Sequence, residues 1–121
     1  MSEYVSIIKS ETSQSLSVCF WIEKEKPFKI GEKMYEINTA AYMNGYNWEA
    51  FFNYYLPKNH PEVIEGMKTD PEAGTYVAYY PLTAEDEKKA EKFVEIIKEL
   101  IENEEKLYEV VKNEGQSIEW D

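Results

Sequence analysis

The sequence contains no arginine, one cysteine, one histidine and no long apolar run. Arginine is the residue best suited to bidentate contacts with phosphate and guanine, so its absence disfavours direct nucleic-acid binding. A single cysteine, Cys19, cannot form an intrachain disulfide, which agrees with a reducing compartment. No stretch reaches the roughly 20 apolar residues of a membrane span, and the first residues lack the layout of a signal peptide. We therefore expect a cytoplasmic protein that binds neither membranes nor nucleic acids.

Residues that commonly carry catalysis are also scarce. His60 stands between Asn59 and Pro61 with no second metal ligand or orienting partner, which is typical of an exposed turn. Asp70 and Glu72 belong to one short turn, whereas paired catalytic carboxylates must face each other across a pocket. The sequence has no glycine-rich phosphate loop and no EF-hand pattern. We expect no catalytic residue, no cofactor site and no metal site.

The sequence is rich in acidic residues and tyrosines and has a moderate apolar content. Of 121 residues 43% are hydrophobic, and 24 acidic residues against 13 lysines give a net charge of −11. This length and composition predict one domain that spans residues 1–121. The acidic surface would steer a basic protein partner towards the molecule. Ten tyrosines exceed what a core of this size needs, and tyrosine is favoured at protein interfaces.

Alternating apolar and polar residues predict strands in three segments. Residues 4–10 and 15–22 indicate a hairpin joined by the turn ETSQ, and residues 75–81 indicate a third strand. We expect Cys19, in the second strand, to act as a small structural hydrophobe. For residues 30–43 we favour a helix, whose stripe would contain Met34, Ile37 and Ala41 and could extend to Ala40 and Tyr42. A fourth strand within residues 28–38 is the alternative.

Helical periodicity dominates two other regions. The stretch NGYNWEAFFNYYL, residues 44–56, places five large side chains on one stripe: Trp48, Phe51, Phe52, Tyr55 and Leu56. We predict that Asn47 caps this helix and that Pro57 ends it at Leu56. From Thr83 onwards the pattern predicts two helices that meet near Asn103. The sequence thus predicts an α+β fold, with a mainly antiparallel sheet of three to four strands, helices packed on it and a C-terminal helical segment.

Two motifs in the middle of the chain carry a family resemblance. The residues Gly45-Tyr-Asn-Trp-Glu49, followed by Asp70-Pro-Glu-Ala73 and then Tyr76, Ala78 and Tyr79, resemble the immunity protein 51 family of bacterial polymorphic toxin systems. The strong match covers roughly residues 42–80. The resemblance implies a small protein that is encoded beside a toxin, binds it and neutralises it, without catalytic residues of its own. The expected partner is a cognate toxin domain, and the acidic composition favours a basic one such as a nuclease.

Four residues are candidates for contact with that partner. Tyr46 and Tyr54 lie off the helical stripe, and Asp70 and Glu72 belong to the second motif turn. We expect a monomer or a weak homodimer. A small-molecule-binding or enzymatic domain remains an alternative, with Tyr46, Asp70, Glu72 and Tyr76 around a deep pocket. A self-associating module, which would bury an apolar patch in a homodimer, is a third class.

Overall fold

Four antiparallel strands form one sheet in the order β1-β2-β4-β3. In the computed structural model, which describes residues 4–121, the strands are β1 Val5–Ser10, β2 Ser15–Phe20, β3 Lys68–Thr69 and β4 Tyr76–Pro81. In register, Leu16 lies opposite Tyr80, Val18 opposite Ala78, and Phe20 opposite Tyr76. These six side chains are all buried, so one face of the sheet forms the floor of the core. The alternation predicted for the second and third strands is confirmed.

Four helices complete the domain, two of them on the sheet and two packed on other helices. They are α1 Glu25–Ile37, α2 Gly45–Asn59, α3 Ala84–Glu102 and α4 Glu104–Glu114, with one-turn 3-10 helices at Pro61–Ile64 and Gly115–Ser117. Helix α3 contacts β1, β2 and β4, and α2 contacts β4. Helices α1 and α4 pack against each other and against α3. The predicted α+β architecture is confirmed.

Phe52 lies at the centre of an aromatic core. Its ring centroid is 5.0 Å from that of Tyr76, 5.1 Å from Phe93, 5.5 Å from Phe51 and 5.7 Å from Trp48. Edge-to-face and tilted arrangements dominate these pairs, as the ring quadrupoles favour. The predicted stripe is confirmed: its five members are all buried. The crowded aromatics of α2 therefore build the core.

Residues 28–38 contain no strand. Helix α1 begins at Glu25, earlier than the pattern indicated, and Pro27 lies in its first turn. Proline is tolerated there because the first-turn amides have no partner within the helix. The fourth strand is instead the two-residue β3, which pairs with β4 through Lys68 and Thr69. A strand of two residues is too short to show an alternating pattern in the sequence. Only its pairing with β4 makes it a strand.

Both predicted ends of α2 are wrong. The helix is capped by Asn44, whose side chain accepts a hydrogen bond from the Asn47 amide at 2.9 Å. The helix also continues past Pro57 to Asn59. Pro57 has no amide hydrogen, so the carbonyl four residues earlier loses its helical hydrogen bond. That carbonyl belongs to Asn53, which is exposed. That carbonyl can bond to water, so the last turn persists.

The C-terminal region agrees with its predicted organisation. The Thr83 hydroxyl caps α3 by accepting a hydrogen bond from the Asp86 amide at 3.0 Å. Helix α3 ends and helix α4 begins on either side of Asn103, as predicted. The residues after α4 pack back on the domain through the buried Ile118. The terminal Asp121 amide donates to the Asn47 side chain at 2.6 Å, which explains why Asn47 is buried. Asn47 thus ties the tail to α2.

Candidate partner-binding surface

The two sequence motifs lie against each other in the folded chain. The Gly45 amide donates to the Ala73 carbonyl at 3.0 Å, although the two residues are 28 positions apart in the sequence. The Thr69 hydroxyl donates to the carboxylate of Glu49, the fifth residue of α2. An isolated bridge between Glu72 and Thr75 closes the second motif turn. The start of α2 and the β3–β4 connection therefore form one structural unit.

Three of the four predicted contact residues are at the surface of this region. Tyr46 is 42% exposed, and Asp70 and Glu72 are also exposed. Tyr54 lies about 12 Å further along α2, given the helical rise per residue. Its hydroxyl donates to the Glu114 carboxylate, so this polar group is engaged within the fold. The structure thus separates Tyr54 from the other three.

Tyr76 is not near the surface with them. Its ring packs in the core between Phe52 and Phe93, and its side chain is fully buried. Burial raises the pKa of the Tyr76 hydroxyl well above its usual range, with smaller contributions from Tyr80 and Glu49. The hydroxyl has no hydrogen-bond partner among residues 4–121. The pocket that the small-molecule alternative requires therefore lacks one of its four residues.

A groove between α1 and the α1–α2 connection is a stronger candidate. Its volume is about 460 Å³, and it brings together three aromatic side chains and three glutamates: Phe28, Tyr35, Tyr42, Glu23, Glu32 and Glu36. Gly31, Met43, Asn44 and Ala73 also line it. We call this feature the aromatic–acidic groove. Because Asn44 directly precedes the first motif and Ala73 is the last residue of the Asp70–Ala73 motif, the groove adjoins the motif unit.

Exposed apolar side chains are concentrated at this groove. Phe28 is 52% exposed, Tyr35 46% and Tyr42 67%. Among residues 4–121 six large apolar side chains are exposed, and five of these fall between positions 28 and 46; the other is Ile8 on the sheet. Single exposed apolar residues are ordinary, but a contiguous group rimmed by charge marks an interaction surface. The groove has that character.

The lysines of α1 are paired with carboxylates that do not line the groove. Lys26 pairs with Glu102 at 2.6 Å, Lys29 with Glu25 at 3.2 Å and Lys33 with Glu104 at 3.5 Å. The groove glutamates have no ion pair within the part of the chain that the structure describes. No lysine of that part lines the groove. Its charge is therefore uncompensated locally.

Close packing fixes the walls of the groove. The rings of Tyr35 and Tyr42 meet edge to face, with centroids 6.2 Å apart. At Gly31 an added Cβ would lie 3.1 Å from the Met43 Cβ, so the missing side chain lets the α1–α2 connection rest directly on α1. The groove is thus formed before any partner arrives.

Sequence reasoning did not identify the groove residues. Met34, Ile37, Ala41 and Tyr42 fitted one helical stripe, but α1 ends at Ile37, and Ile37 and Tyr42 are exposed. A usable signal was nevertheless present. Phe28, Glu32 and Tyr35 have the spacing i, i+4 and i+7 of a single helix face, distinct from the buried face of Ile30 and Met34. Recognising it required the correct start of α1.

Comparison with known proteins agrees with the motif resemblance. The family model described as Immunity protein 51 matches residues 6–116, nearly the whole chain. No curated protein and no solved structure matches the chain. The fold is that of a small α+β protein, and the family match places it in the toxin-immunity class. The chain belongs to the immunity protein 51 family.

Family membership supports a role in immunity to a toxin, implies a toxin as partner, and suggests inhibition without enzymatic activity. Two further observations describe the molecule itself. Over residues 4–121, none of the helices combines the length and apolar character that crossing a bilayer requires. The same residues contain no group of three or more histidine, cysteine, aspartate or glutamate side chains placed to hold a metal ion.

Proposed function

We propose that this protein acts in the cytoplasm, where it binds one cognate toxin domain of a polymorphic toxin system and neutralises it in a tight one-to-one complex. The observation that carries the proposal is the family match over residues 6–116. The protein supplies no chemistry in this mechanism. It inhibits by occupying surface that the toxin needs, either the active site itself or a neighbouring site.

The charge of the molecule supports a basic partner. A net charge of −11 produces an attractive field for a cationic domain, such as a nuclease that itself binds phosphates. That field accelerates encounter, while buried contacts determine how long the complex lasts. A fast, long-lived complex suits a protein that must intercept a toxin before the toxin acts.

We include Tyr46, Asp70, Glu72 and Tyr54 among the contact residues. Tyr46 and Glu72 are exposed beside the groove, so they can extend an interface centred there. Asp70 adds an exposed negative charge at the start of the second motif turn. Tyr54 would contribute the exposed part of its ring, because its hydroxyl is held by Glu114.

Co-expression with the toxin encoded beside this protein tests the proposal. Cells that make both proteins should grow, whereas cells that make the toxin alone should stop growing. An unrelated toxin serves as the specificity control and should kill with or without the immunity protein. The immunity protein must be shown to be folded and present. If cells making both proteins then die as fast as cells making the toxin alone, the proposed function is wrong.

A further inference from the structure

We propose that the aromatic–acidic groove is the central toxin-binding site and that it receives a lysine or arginine side chain of the toxin. The inference rests on the proposed function and makes it specific. It names the surface that binds, the chemical class of the group that is bound, and the residues that bind it. Phe28, Tyr35 and Tyr42 provide the aromatic walls, and Glu32 and Glu36 provide charge on α1.

The groove has the two components that recognise an alkylammonium or guanidinium group. Aromatic faces carry a negative quadrupole and attract cations that lie within about 6 Å of the ring centroid. Carboxylates accept charge-assisted hydrogen bonds from the same cation. A long basic side chain can also bury its apolar stem along the rings while its charged end reaches the glutamates. Neither acidic nor wholly apolar side chains satisfy both components.

The glutamates are available for such a partner because internal lysines do not neutralise them. All three lysines of α1 are engaged with carboxylates outside the groove lining: Glu25, Glu102 and Glu104. The groove glutamates Glu32 and Glu36 therefore keep no internal ion pair among the described residues. An incoming cation therefore gains attraction without displacing an existing ion pair.

The shape of the groove favours a protein over a small ligand. Sites for small molecules typically enclose most of the ligand surface. Here Tyr42 is 67% exposed and Phe28 52%, so the groove leaves much of its aromatic wall open to solvent. A shallow aromatic surface with a charged rim is the pattern of a protein interface centre. A second copy of this chain is disfavoured, because it would bring another acidic groove and a net charge of −11.

The experiment measures binding of the purified full chain to its purified toxin domain by stopped-flow and calorimetry. The test variants are Tyr35→Ala, Tyr42→Ala and the double variant Glu32→Gln/Glu36→Gln. The matched control is Glu91→Gln/Glu95→Gln, which removes two exposed glutamates at the same i, i+4 spacing from α3. Ile8→Ala is the control for loss of an exposed apolar side chain away from the groove. Thermal melts establish that each variant is folded, and the glutamine double variant preserves side-chain volume if an alanine variant fails to fold.

We expect each aromatic variant to raise Kd by about tenfold or more, mainly through faster dissociation. The groove glutamine variant should raise Kd and slow association, whereas both controls should stay within about twofold of wild type. In a double-mutant cycle, one lysine or arginine of the toxin is replaced by alanine and combined with Tyr42→Ala. For the bound residue, the two losses of binding free energy should not be additive. That coupling would identify the bound cation.

The outcomes separate the inference from the proposed function. If wild type binds and protects, but folded groove variants bind equally well, the groove assignment is wrong and the immunity function stands. If the aromatic variants weaken binding but no basic toxin residue couples to Tyr42, the cation assignment is overturned. A wild-type homodimer that groove variants dissociate, or a small cation that stabilises wild type but not Tyr42→Ala, would replace the toxin as occupant. If wild type does not bind the toxin at all, the proposed function and the inference both fail.

Discussion

Gly45 and Glu72 approach each other so closely that no side chain fits between them. A Cβ on Gly45 would lie 1.8 Å from the Glu72 carbonyl oxygen and 2.2 Å from that of Thr75. Both obstacles are backbone atoms, which cannot rotate away. The backbone of Gly45 does not have a positive φ, so glycine is required here for space and not for conformational freedom. This contact joins the two family motifs.

We expect Gly45→Ala to destabilise the protein by about 3 kcal/mol or more, since overpacking against fixed backbone forces the motif unit apart. Urea denaturation would measure the loss. Gly74→Ala is the matched control: its Cβ would meet the flexible Glu23 carboxylate at 2.8 Å, and that group can move aside. The control should cost less than about 1 kcal/mol. Equal effects at the two glycines would contradict the steric explanation.

Phe52→Ala should destabilise the fold by about 3–5 kcal/mol, because it empties the centre of the aromatic core. Phe28→Ala removes the same side chain from a site that is 52% exposed. It should change stability by less than about 1 kcal/mol. Chemical denaturation of both variants tests the comparison. A large loss from Phe28→Ala would mean that the groove wall supports the fold and not only a partner.

The contact between Glu114 and α2 should make stability depend on acid pH. Hydrogen bonds from Lys58 and then Tyr54 hold the pKa of Glu114 below its usual range. Glutamate in the unfolded chain titrates near an ordinary pKa of about 4.3. The stabilisation is therefore present above that pH and is lost as pH falls through the lowered folded-state pKa.

Accordingly, the difference in unfolding free energy between wild type and Glu114→Gln should shrink as pH is lowered from about 6 to about 3. Urea titrations at several pH values measure it. Glu95→Gln is the control, since its carboxylate has no ion pair in the described residues and the variant should track wild type. A difference that stays constant with pH would show that the contact does not form in solution.

Binding to the toxin should depend on salt through its association rate. Added salt screens the field of the acidic surface, with a Debye length of about 10 Å at 0.1 M. We expect association to slow markedly between about 50 and about 500 mM salt, while dissociation changes less. Stopped-flow mixing resolves the two rates. An association rate that does not change with salt would rule out electrostatic steering.

The sequence by itself determined the elements whose residues repeat with a period. The strands β2 and β4 each place three alternating side chains on the core, and the stripe of α2 places five, so each pattern depends on several residues and not on one. The acidic composition and the two motifs were likewise visible without coordinates, and they led to the correct family. These features depend on which residues are near one another in the sequence, so they can be recognised without knowledge of the tertiary contacts.

Tertiary structure decided what depends on residues distant in sequence. The cap of α2 is Asn44, whereas the Asn47 side chain bonds to the Tyr42 carbonyl and the Asp121 amide. The fourth strand exists because β4 offers Lys68 and Thr69 an edge to pair with. The groove keeps its negative charge in a helix with three lysines because two of these, Lys26 and Lys33, pair with the distant Glu102 and Glu104. Local patterns fix which face of an element is apolar, but only the assembled fold determines which charges remain without a partner.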